Sequence, residues 1–354
     1  MPEIVDDKSQ HCIPFLLDRL RVHNERHRGN PSTPPFFIGL NGVQGAGKTV
    51  LVSALNDTLR SEPYSLSVVT LSLDDIYLTH ADQVALAQAH SSNPLLQHRG
   101  QPSTHDLALG EEVFASLAAE RPTAIPQYDK SAFEGQGDRV PKAQWEVVNK
   151  ESQDKVKVVI FEGWCVGFRP WDDQTLRAKW QSAVRQKENG NYDGRLGHVK
   201  LEDVEAVNDA LKRYDVLTEW VSSAIDDDTL NSFANTGFLH SKLDALIHMY
   251  ILCPSIYFNS LTNFSDAENP HFVYEWRQEQ ERTLRAVKGT GMTEEQVNHF
   301  VDGYYPSYEL FTETLREGAF KPAHNPSALN SDWQGRQLCL VVDRNRRVQK
   351  VIKI

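Results

Sequence analysis

The sequence predicts an α/β fold of three layers, in which helices cover both faces of a mostly parallel central sheet. Two apolar runs, residues 36–40 and 156–161, have the length and the β-branched composition of buried strands. Segments with the apolar spacing of helices, such as residues 48–59, alternate with such runs along the chain. This alternation is typical of parallel sheets, because each strand-to-strand crossover needs a covering element. The chain has 354 residues, 40% of them hydrophobic, and can therefore bury a sizeable core.

An N-terminal segment precedes the predicted sheet. Apolar residues recur at helical spacing between residues 13 and 20, and a stretch rich in proline, glycine and serine follows at residues 29–35. We therefore expect a helix and linker over residues 1–35, and one main domain over residues 36–354.

The main domain is predicted to contain strands, helices and a long polar segment. In chain order, the pattern predicts a strand at 36–40, a helix at 48–59, a strand at 66–73, a helix at 106–120, a strand at 156–161, a polar helical segment at 172–228 and a hairpin within 336–354. Ser103 and Thr104 are available to cap the helix at 106–120. The polar region, taken as residues 170–230, is a candidate lid over the sheet.

A glycine-rich loop follows the first predicted strand and matches the pattern G-x-x-x-x-G-K-[S/T] in full. Its glycines let the backbone curl so that successive N–H groups face phosphate oxygens, and the helix that follows adds its positive end. The lysine provides a charge for the β- and γ-phosphates, and the threonine hydroxyl can bind Mg²⁺. We therefore predict a P-loop NTPase fold with a nucleoside triphosphate site. This site is formed by Gly42, Val43, Gln44, Gly45, Ala46, Gly47, Lys48 and Thr49.

Acidic residues follow two other predicted strands, at the sheet edge where ligands of open α/β sheets collect. Asp74 and Asp75 follow the strand at 66–73, and Glu162 follows the strand at 156–161. Transfer of a phosphoryl group to an alcohol needs one carboxylate that accepts the hydroxyl proton and another that holds Mg²⁺. We assign the first role to Asp74 and the second to Glu162. An ordinary turn or helix cap is the alternative role of the adjacent aspartates.

Several further segments carry recognisable motifs. Besides the glycine-rich loop, they are Ser-Leu-Asp-Asp-Ile-Tyr at 72–77, Arg-Gly-Gln-Pro-Ser-Thr-His-Asp at 99–106, Pro-Gln-Tyr-Asp-Lys-Ser at 126–131, Gly-Asp-Arg at 137–139, Phe-Glu-Gly-Trp-Cys-Val-Gly-Phe at 161–168 and Tyr-Glu-Trp-Arg at 274–277. In this order they resemble D-glycerate 3-kinases of the plant and fungal type, within the P-loop kinases that include uridine kinase, phosphoribulokinase and pantothenate kinase. The resemblance covers roughly residues 36–310, so it is far more specific than the P-loop alone.

The resemblance implies an ATP-dependent kinase that uses Mg²⁺ and phosphorylates D-glycerate to 3-phosphoglycerate. Asp74 matches the catalytic base of the uridine kinase group, whereas Asp75 has no counterpart there and its role in substrate binding stays open. Tyr128, Asp129 and Arg139 match an element that lines the acceptor pocket in these kinases.

Other side chains are candidates for the acceptor site. Lys130 and Arg139 suit a substrate carboxylate, since a small acid needs a fixed cation. Their alternative role is a surface salt bridge. His105 and Asp106 suit the substrate hydroxyls, or mark the start of a helix. Tyr77 contacts either the substrate or the core.

A lid arginine would neutralise charge on the transferred phosphoryl group. Arg169, Arg213 and Arg277 are the candidates, and the sequence does not choose among them. Arg277 could instead form a structural cation–π pair with Trp276. Relative to the family pattern the chain is longer around residues 250–265, an apolar and aromatic stretch that we interpret as a candidate insertion.

Composition excludes several classes of protein. A net charge of −11 without a long Lys/Arg tract argues against a nucleic-acid or anionic-membrane surface. The four cysteines form no C-x-x-C pair, which indicates a reducing compartment with neither a disulfide framework nor a zinc site. No apolar run approaches the ~20 residues that span a bilayer, and the N-terminus resembles no signal or transit peptide. We therefore expect a cytoplasmic protein whose partner is a small-molecule substrate; its oligomeric state is not predicted.

Three alternative functions share part of this pattern. A kinase for a nucleoside, pantothenate-like compound or other small alcohol would use the same motifs. A GTPase is disfavoured, because Asn-Lys-Glu-Ser at 149–152 lacks the aspartate of the guanine-reading N-K-x-D pattern. A nucleotide-binding protein without catalysis is disfavoured by the intact Lys48, Thr49, Asp74 and Glu162.

Overall fold

A six-stranded sheet lies at the centre of the structure, a computed structural model that describes residues 6–30, 33–218, 243–250, 271–288, 291–320 and 334–354. The strands are β1 Phe36–Gly42, β2 Val68–Ser72, β3 Thr123–Ile125, β4 Tyr128–Asp129, β5 Asp138–Arg139, β6 Glu146–Val148, β7 Val158–Gly163, β8 Ala245–Tyr250, β9 Gln337–Val342 and β10 Val348–Lys353. The central sheet has the order β10-β9-β8-β1-β7-β2, and all its pairs are parallel except β9 with β10. The predicted mostly parallel sheet and the C-terminal hairpin are therefore confirmed.

Helices lie on both faces of this sheet. They are α1 Ser9–Arg26, α2 Lys48–Arg60, α3 His80–Ala89, α4 Leu107–Ala118, α5 Asp173–Glu188, α6 Leu201–Leu211, α7 Asp215–Thr218, α8 Phe272–Lys288 and α9 Glu294–Gly318. Two small antiparallel sheets, β3 with β6 and the hairpin of β4 with β5, lie apart from the central sheet. Within the ranges given above, none of the helices is long and apolar enough to cross a bilayer.

The core divides between the two faces of the sheet because successive strand residues point to opposite sides. Phe36, Ile38 and Leu40 of β1 join one cluster with buried residues of α1 and α2. Phe37 joins the other cluster, which includes Phe114 of α4 and residues of α5, α6, α8 and α9. A fully buried side chain of this size contributes about 1.5–3 kcal/mol relative to an exposed one. The three-layer α/β prediction is therefore confirmed.

The parallel register brings the carboxyl ends of the strands to one edge. Ser72 of β2 lies opposite Glu162 of β7, and Leu40 of β1 lies on the other side of Glu162. The side-chain amide of Asn41 donates hydrogen bonds to the carbonyls of Trp164 (3.1 Å) and Val166 (2.9 Å), which fixes the chain as it leaves β7. The segments after β1, β2 and β7 therefore meet where the sequence placed the candidate site.

Local details differ from the sequence-based expectations. The strand expected at 66–73 ends at Ser72, where the chain turns into a 3₁₀ helix, Leu73–Ile76. The cap of α4 is Asp106, which accepts a hydrogen bond from the Leu109 N–H at 3.0 Å. Ser103 and Thr104 were the wrong choice. Thr104 uses its hydroxyl within the preceding turn, accepting from the Gly100 N–H at 2.9 Å.

The candidate lid, residues 170–230, is described as far as residue 218. Leu176 and Ala183 of α5, and Val204 and Val207 of α6, are buried in the larger core cluster. This part of the segment therefore packs as core. The candidate insertion at 250–265, which includes Cys253, lies outside the described residues apart from the backbone of Tyr250.

Candidate active site

The glycine-rich loop joins β1 to α2, as the motif predicts. Gly45 and Gly47 have φ angles of +80° and +96°, which glycine adopts without strain. A side chain at position 45 would also overlap Trp276 of α8. The Lys48 ammonium donates hydrogen bonds to the carbonyls of Gly42 (2.7 Å) and Val43 (3.4 Å). The loop therefore wraps around its own lysine.

Residues far along the chain hold this loop in place. The Tyr308 hydroxyl of α9 accepts a hydrogen bond from the Gln44 N–H at 3.4 Å. Arg346, in the β9–β10 turn, donates to the Gly45 carbonyl at 2.6 Å. Its guanidinium also pairs with Glu279 at 2.5 Å and lies 5.2 Å from the centre of the Trp276 ring. Sequence reasoning missed these contacts, since only the folded chain brings them to the loop.

Two carboxylates lie close enough to the half-buried Lys48 to affect its pKa. Burial lowers the pKa of Lys48 below its ordinary value, while the nearby carboxylates of Glu162 and Asp74 oppose that shift. Thr49 is the second residue of α2 and is exposed. The Glu162 carboxylate accepts a hydrogen bond from the Ser72 hydroxyl at 2.6 Å, which links the ends of β2 and β7.

Asp74 lies in the 3₁₀ turn after β2 and forms an ion pair with Lys130. The Asp74 side chain is 27% exposed. Burial favours the neutral acid, but the Lys130 ammonium and hydrogen bonds from Lys130 and Tyr77 outweigh it. The pKa of Asp74 therefore lies below its usual range. Asp74 is a carboxylate at neutral pH, as a proton acceptor must be.

The neighbouring Asp75 has a different environment. Its carboxylate accepts the Ser72 N–H at 3.1 Å and completes a capping box at the start of the 3₁₀ turn. Burial raises the pKa of Asp75 to about 6, against the opposing effect of the Ser72 hydrogen bond. The position of the Asp75 side chain is therefore explained by its hydrogen bond to the Ser72 backbone.

An aromatic cluster borders the Asp74 carboxylate. Tyr77 stacks on His105 with ring centres 4.5 Å apart and meets Tyr128 edge-on at 5.4 Å. The Tyr128 hydroxyl is buried and has no hydrogen-bond partner among the described residues. Burial raises the pKa of Tyr128 and lowers that of His105 to about 3, so both rings are neutral at physiological pH.

Asp106 and Arg139, each predicted separately as an acceptor-site residue, form an ion pair with each other. The Arg139 guanidinium lies 3.0 Å from the Asp106 carboxylate and donates to the Tyr77 carbonyl at 2.7 Å. Asp106 is thus both the start of α4 and the partner of Arg139. The Nε of Arg139 is buried and, in the part of the chain described, has no hydrogen-bond partner.

The hairpin of β4 and β5 carries Tyr128 and Lys130 to the site, and Arg99 holds it there. The Arg99 guanidinium donates to the carbonyls of Gly135 (2.7 Å), Gln136 and Lys130 (3.4 Å). It also lies 5.8 Å from the centre of the Tyr128 ring. Lys130 itself is 57% exposed, so its ammonium faces both Asp74 and solvent.

Two tyrosines of α9 also lie near the candidate site, and the sequence analysis did not predict them. Tyr304 and Tyr308 pack edge-on against Trp164, with ring centres 5.0 and 5.4 Å away. A side chain at Gly100 would overlap the Tyr304 hydroxyl, so the chain passes close to that ring. The only sequence signal for these tyrosines was their spacing of four residues, which places them on one helix face.

Two of the three candidate lid arginines, Arg169 and Arg277, contact structural partners. Arg169 donates to the Ala319 carbonyl at 2.9 Å. Arg277 pairs with Glu281 at 3.1 Å and lies over Phe300 at 5.1 Å. The alternative pairing of Arg277 with Trp276 is wrong: the Arg277 guanidinium lies over Phe300, and the cation over the Trp276 ring is Arg346. Arg213 remains a candidate on sequence grounds alone.

Comparison with known proteins identifies the family. A D-glycerate 3-kinase from Cryptococcus neoformans var. grubii has a similar solved structure, with a TM-score of 0.74 and 31% identity, covering 99% of this chain and 100% of that one. The chain belongs to the D-glycerate 3-kinase family. An uncharacterized kinase of Schizosaccharomyces pombe, mug58, is 33% identical over 336 residues, which are 94% of this chain and 97% of that protein.

The D-glycerate 3-kinase family also includes a plant relative. The chloroplastic D-glycerate 3-kinase of Arabidopsis thaliana is 28% identical over 341 residues, which are 94% of this chain and 59% of the plant protein. No protein-family model matches the chain. Membership of the D-glycerate 3-kinase family makes this protein a P-loop kinase that binds a nucleotide and acts on a small molecule.

Proposed function

We propose that this kinase transfers the γ-phosphoryl group of ATP to the 3-hydroxyl of D-glycerate and forms 3-phosphoglycerate. The pairing of Asp74 with Lys130 carries the proposal. It puts a proton acceptor and a cation for a carboxylate side by side, near the P-loop lysine Lys48. A small hydroxy acid presents its hydroxyl and its carboxylate a few atoms apart and suits this pair. Two relatives named D-glycerate 3-kinase support the choice.

In the proposed reaction Asp74 takes the proton of the acceptor hydroxyl as its oxygen attacks the γ-phosphorus. The bond from that phosphorus to the β–γ bridging oxygen breaks, and ADP leaves with its electron pair. Lys48 and the loop N–H groups stabilise the charge on the phosphates. The substrate carboxylate pairs with Lys130 in place of Asp74. Because Asp74 then loses its cationic partner, its pKa rises and it becomes a stronger base.

The residues at the loop suit a magnesium–nucleotide complex. Thr49 and Glu162 are the proposed protein ligands of Mg²⁺, which typically takes one or two protein oxygens and completes its shell with phosphates and water. Among the residues that the structure describes, no group of three or more His, Cys, Asp or Glu side chains could hold a metal by itself. The metal, when bound, would neutralise phosphate charge in the transition state.

The acceptor site is proposed to lie between Asp74 and the aromatic cluster. Lys130 binds the carboxylate, and His105 and Tyr128 offer polar atoms to the remaining oxygens. The Asp106–Arg139 pair braces the backbone of Tyr77, and the buried Nε of Arg139 is a further donor for substrate. No acceptor contact is assigned to Asp75.

The function is tested by measuring ADP release from Mg-ATP with D-glycerate, L-glycerate, uridine, pantothenate and ribulose 5-phosphate as acceptors. We expect turnover selective for D-glycerate, with 3-phosphoglycerate identified as the product by NMR. Turnover of another acceptor alone would keep the kinase and reject the substrate. If no acceptor is phosphorylated while ATP still binds, the D-glycerate assignment fails.

Replacing Lys130 with methionine is expected to raise the KM for D-glycerate about 10- to 100-fold, the worth of a hydrogen bond to a charged group. The KM for ATP should stay within a factor of two or three. Lys130 lowers the pKa of Asp74 and burial raises it, so its removal should move the acid limb of kcat/KM to higher pH. Initial rates measured between pH 5 and 8 check both effects.

Lys157→Met is the matched control, because Lys157 is also a half-exposed lysine paired with an acid, Glu120, at 3.0 Å. It precedes β7 and so lies at the opposite edge of the sheet. An unchanged KM for D-glycerate in Lys130→Met, or an equal rise in the KM for ATP, would contradict the assignment.

A further inference from the structure

Tyr214 contacts the candidate acceptor site without touching its reacting groups. It follows α6 and is buried, with its hydroxyl 2.6 Å from Nδ1 of His105. The same hydroxyl accepts a hydrogen bond from the Ser103 N–H at 3.2 Å. Ser103 has a φ of +101°, which is costly for a residue with a side chain. The turn is therefore held in a strained form that aims its N–H at Tyr214.

These contacts determine which nitrogen of His105 carries the proton. The Tyr214 hydroxyl has one hydrogen, and the Ser103 N–H already occupies one of its lone pairs. A second donor at Nδ1 would leave that hydroxyl hydrogen buried without a partner, which is costly. The hydroxyl therefore donates to Nδ1. A neutral imidazole that accepts at Nδ1 carries its hydrogen at Nε2.

The Nε2 nitrogen of the ring is buried and lacks a partner in the described part of the protein. His105 is 4% exposed, and its Nε2 has no hydrogen-bond partner within the described ranges. A buried N–H without a partner is rare in proteins and points to a ligand. The groups that face the ring are Asp74, the stacked Tyr77 and the edge-on Tyr214. Nε2 points away from Tyr214, since the two ring nitrogens lie on opposite sides of the imidazole.

We propose that Tyr214 is a positioning residue that fixes His105 as the Nε2–H tautomer, so that His105 donates a hydrogen bond to the 2-hydroxyl oxygen of the acceptor. The proposal rests on the proposed function for the identity of that acceptor. It assigns Asp74 to the reacting 3-hydroxyl, Lys130 to the carboxylate and His105 to the hydroxyl between them. Burial lowers the pKa of His105 to about 3, so this donor keeps its neutral form throughout the working range of pH.

The proposal makes His105 a determinant of specificity. A site built to hydrogen-bond a substrate hydroxyl discriminates strongly against the analogue that lacks it, because a buried polar group is then left unpaired. For D-glycerate that analogue is 3-hydroxypropanoate, which keeps the carboxylate and the reacting hydroxyl. The ratio of kcat/KM for D-glycerate to that for 3-hydroxypropanoate therefore reports the hydrogen bond of His105.

The tautomer is tested without substrate by NMR of protein labelled with ¹⁵N at histidine. We expect His105 to show the Nε2–H tautomer, with ¹⁵N shifts unchanged between pH 5 and 8. In Tyr214→Phe, Nδ1 loses its donor, and the shifts should move toward a mixture of tautomers. A wild-type His105 that carries its proton on Nδ1, or that is charged in this range, would overturn the proposal. This result does not depend on which acceptor is phosphorylated, so it separates failure here from failure of the proposed function.

The role in specificity is tested by kinetics. Tyr214→Phe is expected to reduce kcat/KM for D-glycerate about five- to tenfold, the net worth of one hydrogen bond, with little effect on 3-hydroxypropanoate. Tyr192→Phe is the matched control, since it removes another tyrosine hydroxyl, on a half-buried side chain, which donates to Glu309 at 2.6 Å. It should leave the ratio of the two acceptors unchanged.

Glutamine at position 105 separates positioning from a structural role. Its side-chain amide can place an N–H near the position of Nε2 without help from Tyr214, so His105→Gln should keep more of the preference for D-glycerate than His105→Ala. Adding Tyr214→Phe to His105→Gln should then have no further effect on the ratio. An equal loss of preference from Tyr214→Phe in both backgrounds would show that Tyr214 acts through the fold alone.

Discussion

The Asp74→Asn enzyme is expected to lose about 10²- to 10⁴-fold in kcat, the usual contribution of a general base. An amide cannot accept the proton of the acceptor hydroxyl, but its oxygen can still accept the hydrogen bond from Lys130. ATP affinity should stay within a few-fold of wild type, since Asp74 lies in the turn after β2 and outside the glycine-rich loop. Single-turnover rates and calorimetric titration with ATP measure the two quantities separately.

The neighbouring acid provides the comparison for this experiment. Asp75→Asn changes the same functional group one residue away, where the carboxylate accepts the Ser72 N–H. It should keep most of its turnover, and its cost should appear as a lower thermal midpoint. If both variants lose turnover equally, or if Asp74→Asn loses ATP affinity in parallel with turnover, the role of Asp74 as the base is wrong.

The sheet was predictable because its central strands carry their own signal. Runs of apolar residues such as those of β1 and β7 are short, lack helical spacing and end at glycine or an acid. Helix α9 gave no comparable signal. It contains Pro306 near its middle, and proline in a helix interior normally indicates an interruption. The sequence therefore predicted the layers of the fold but not the helix that carries Tyr304 and Tyr308.

The candidate site was also predictable only in part, because some of its residues carry a local sequence signal and others do not. Residues at the carboxyl ends of strands are placed by the topology of a parallel sheet. Asp74 follows β2, and Glu162, which was expected just after its strand, is the penultimate residue of β7. The partner of Asp74 depends on the β4–β5 hairpin, which Arg99 holds through backbone carbonyls, and such contacts leave no sequence pattern. Tyr214 lies more than a hundred residues from His105 along the chain. Only the folded chain shows that these side chains meet.

Replacing Lys48 with alanine is expected to weaken nucleotide binding and phosphoryl transfer together. Its ammonium is the one cation that the motif places at the β- and γ-phosphates, and loss of one such electrostatic group typically costs about 10²- to 10³-fold in kcat. ATP affinity should fall as well, because Lys48 contacts phosphate in the ground state and in the transition state. This double effect distinguishes Lys48→Ala from Asp74→Asn, which should affect transfer alone.

Lys155→Ala is the matched control for this variant. Lys155 also donates to a backbone carbonyl, that of Asn149 at 2.9 Å, but it lies in the loop before β7, away from the glycine-rich loop. Its loss should leave both ATP affinity and kcat near wild type. In Lys48→Ala the carbonyls of Gly42 and Val43 lose the hydrogen bond from the ammonium, so circular dichroism is needed to confirm the fold. A folded Lys48→Ala enzyme with near-normal kinetics would show that the phosphates of ATP bind elsewhere, and the P-loop assignment would have to be abandoned.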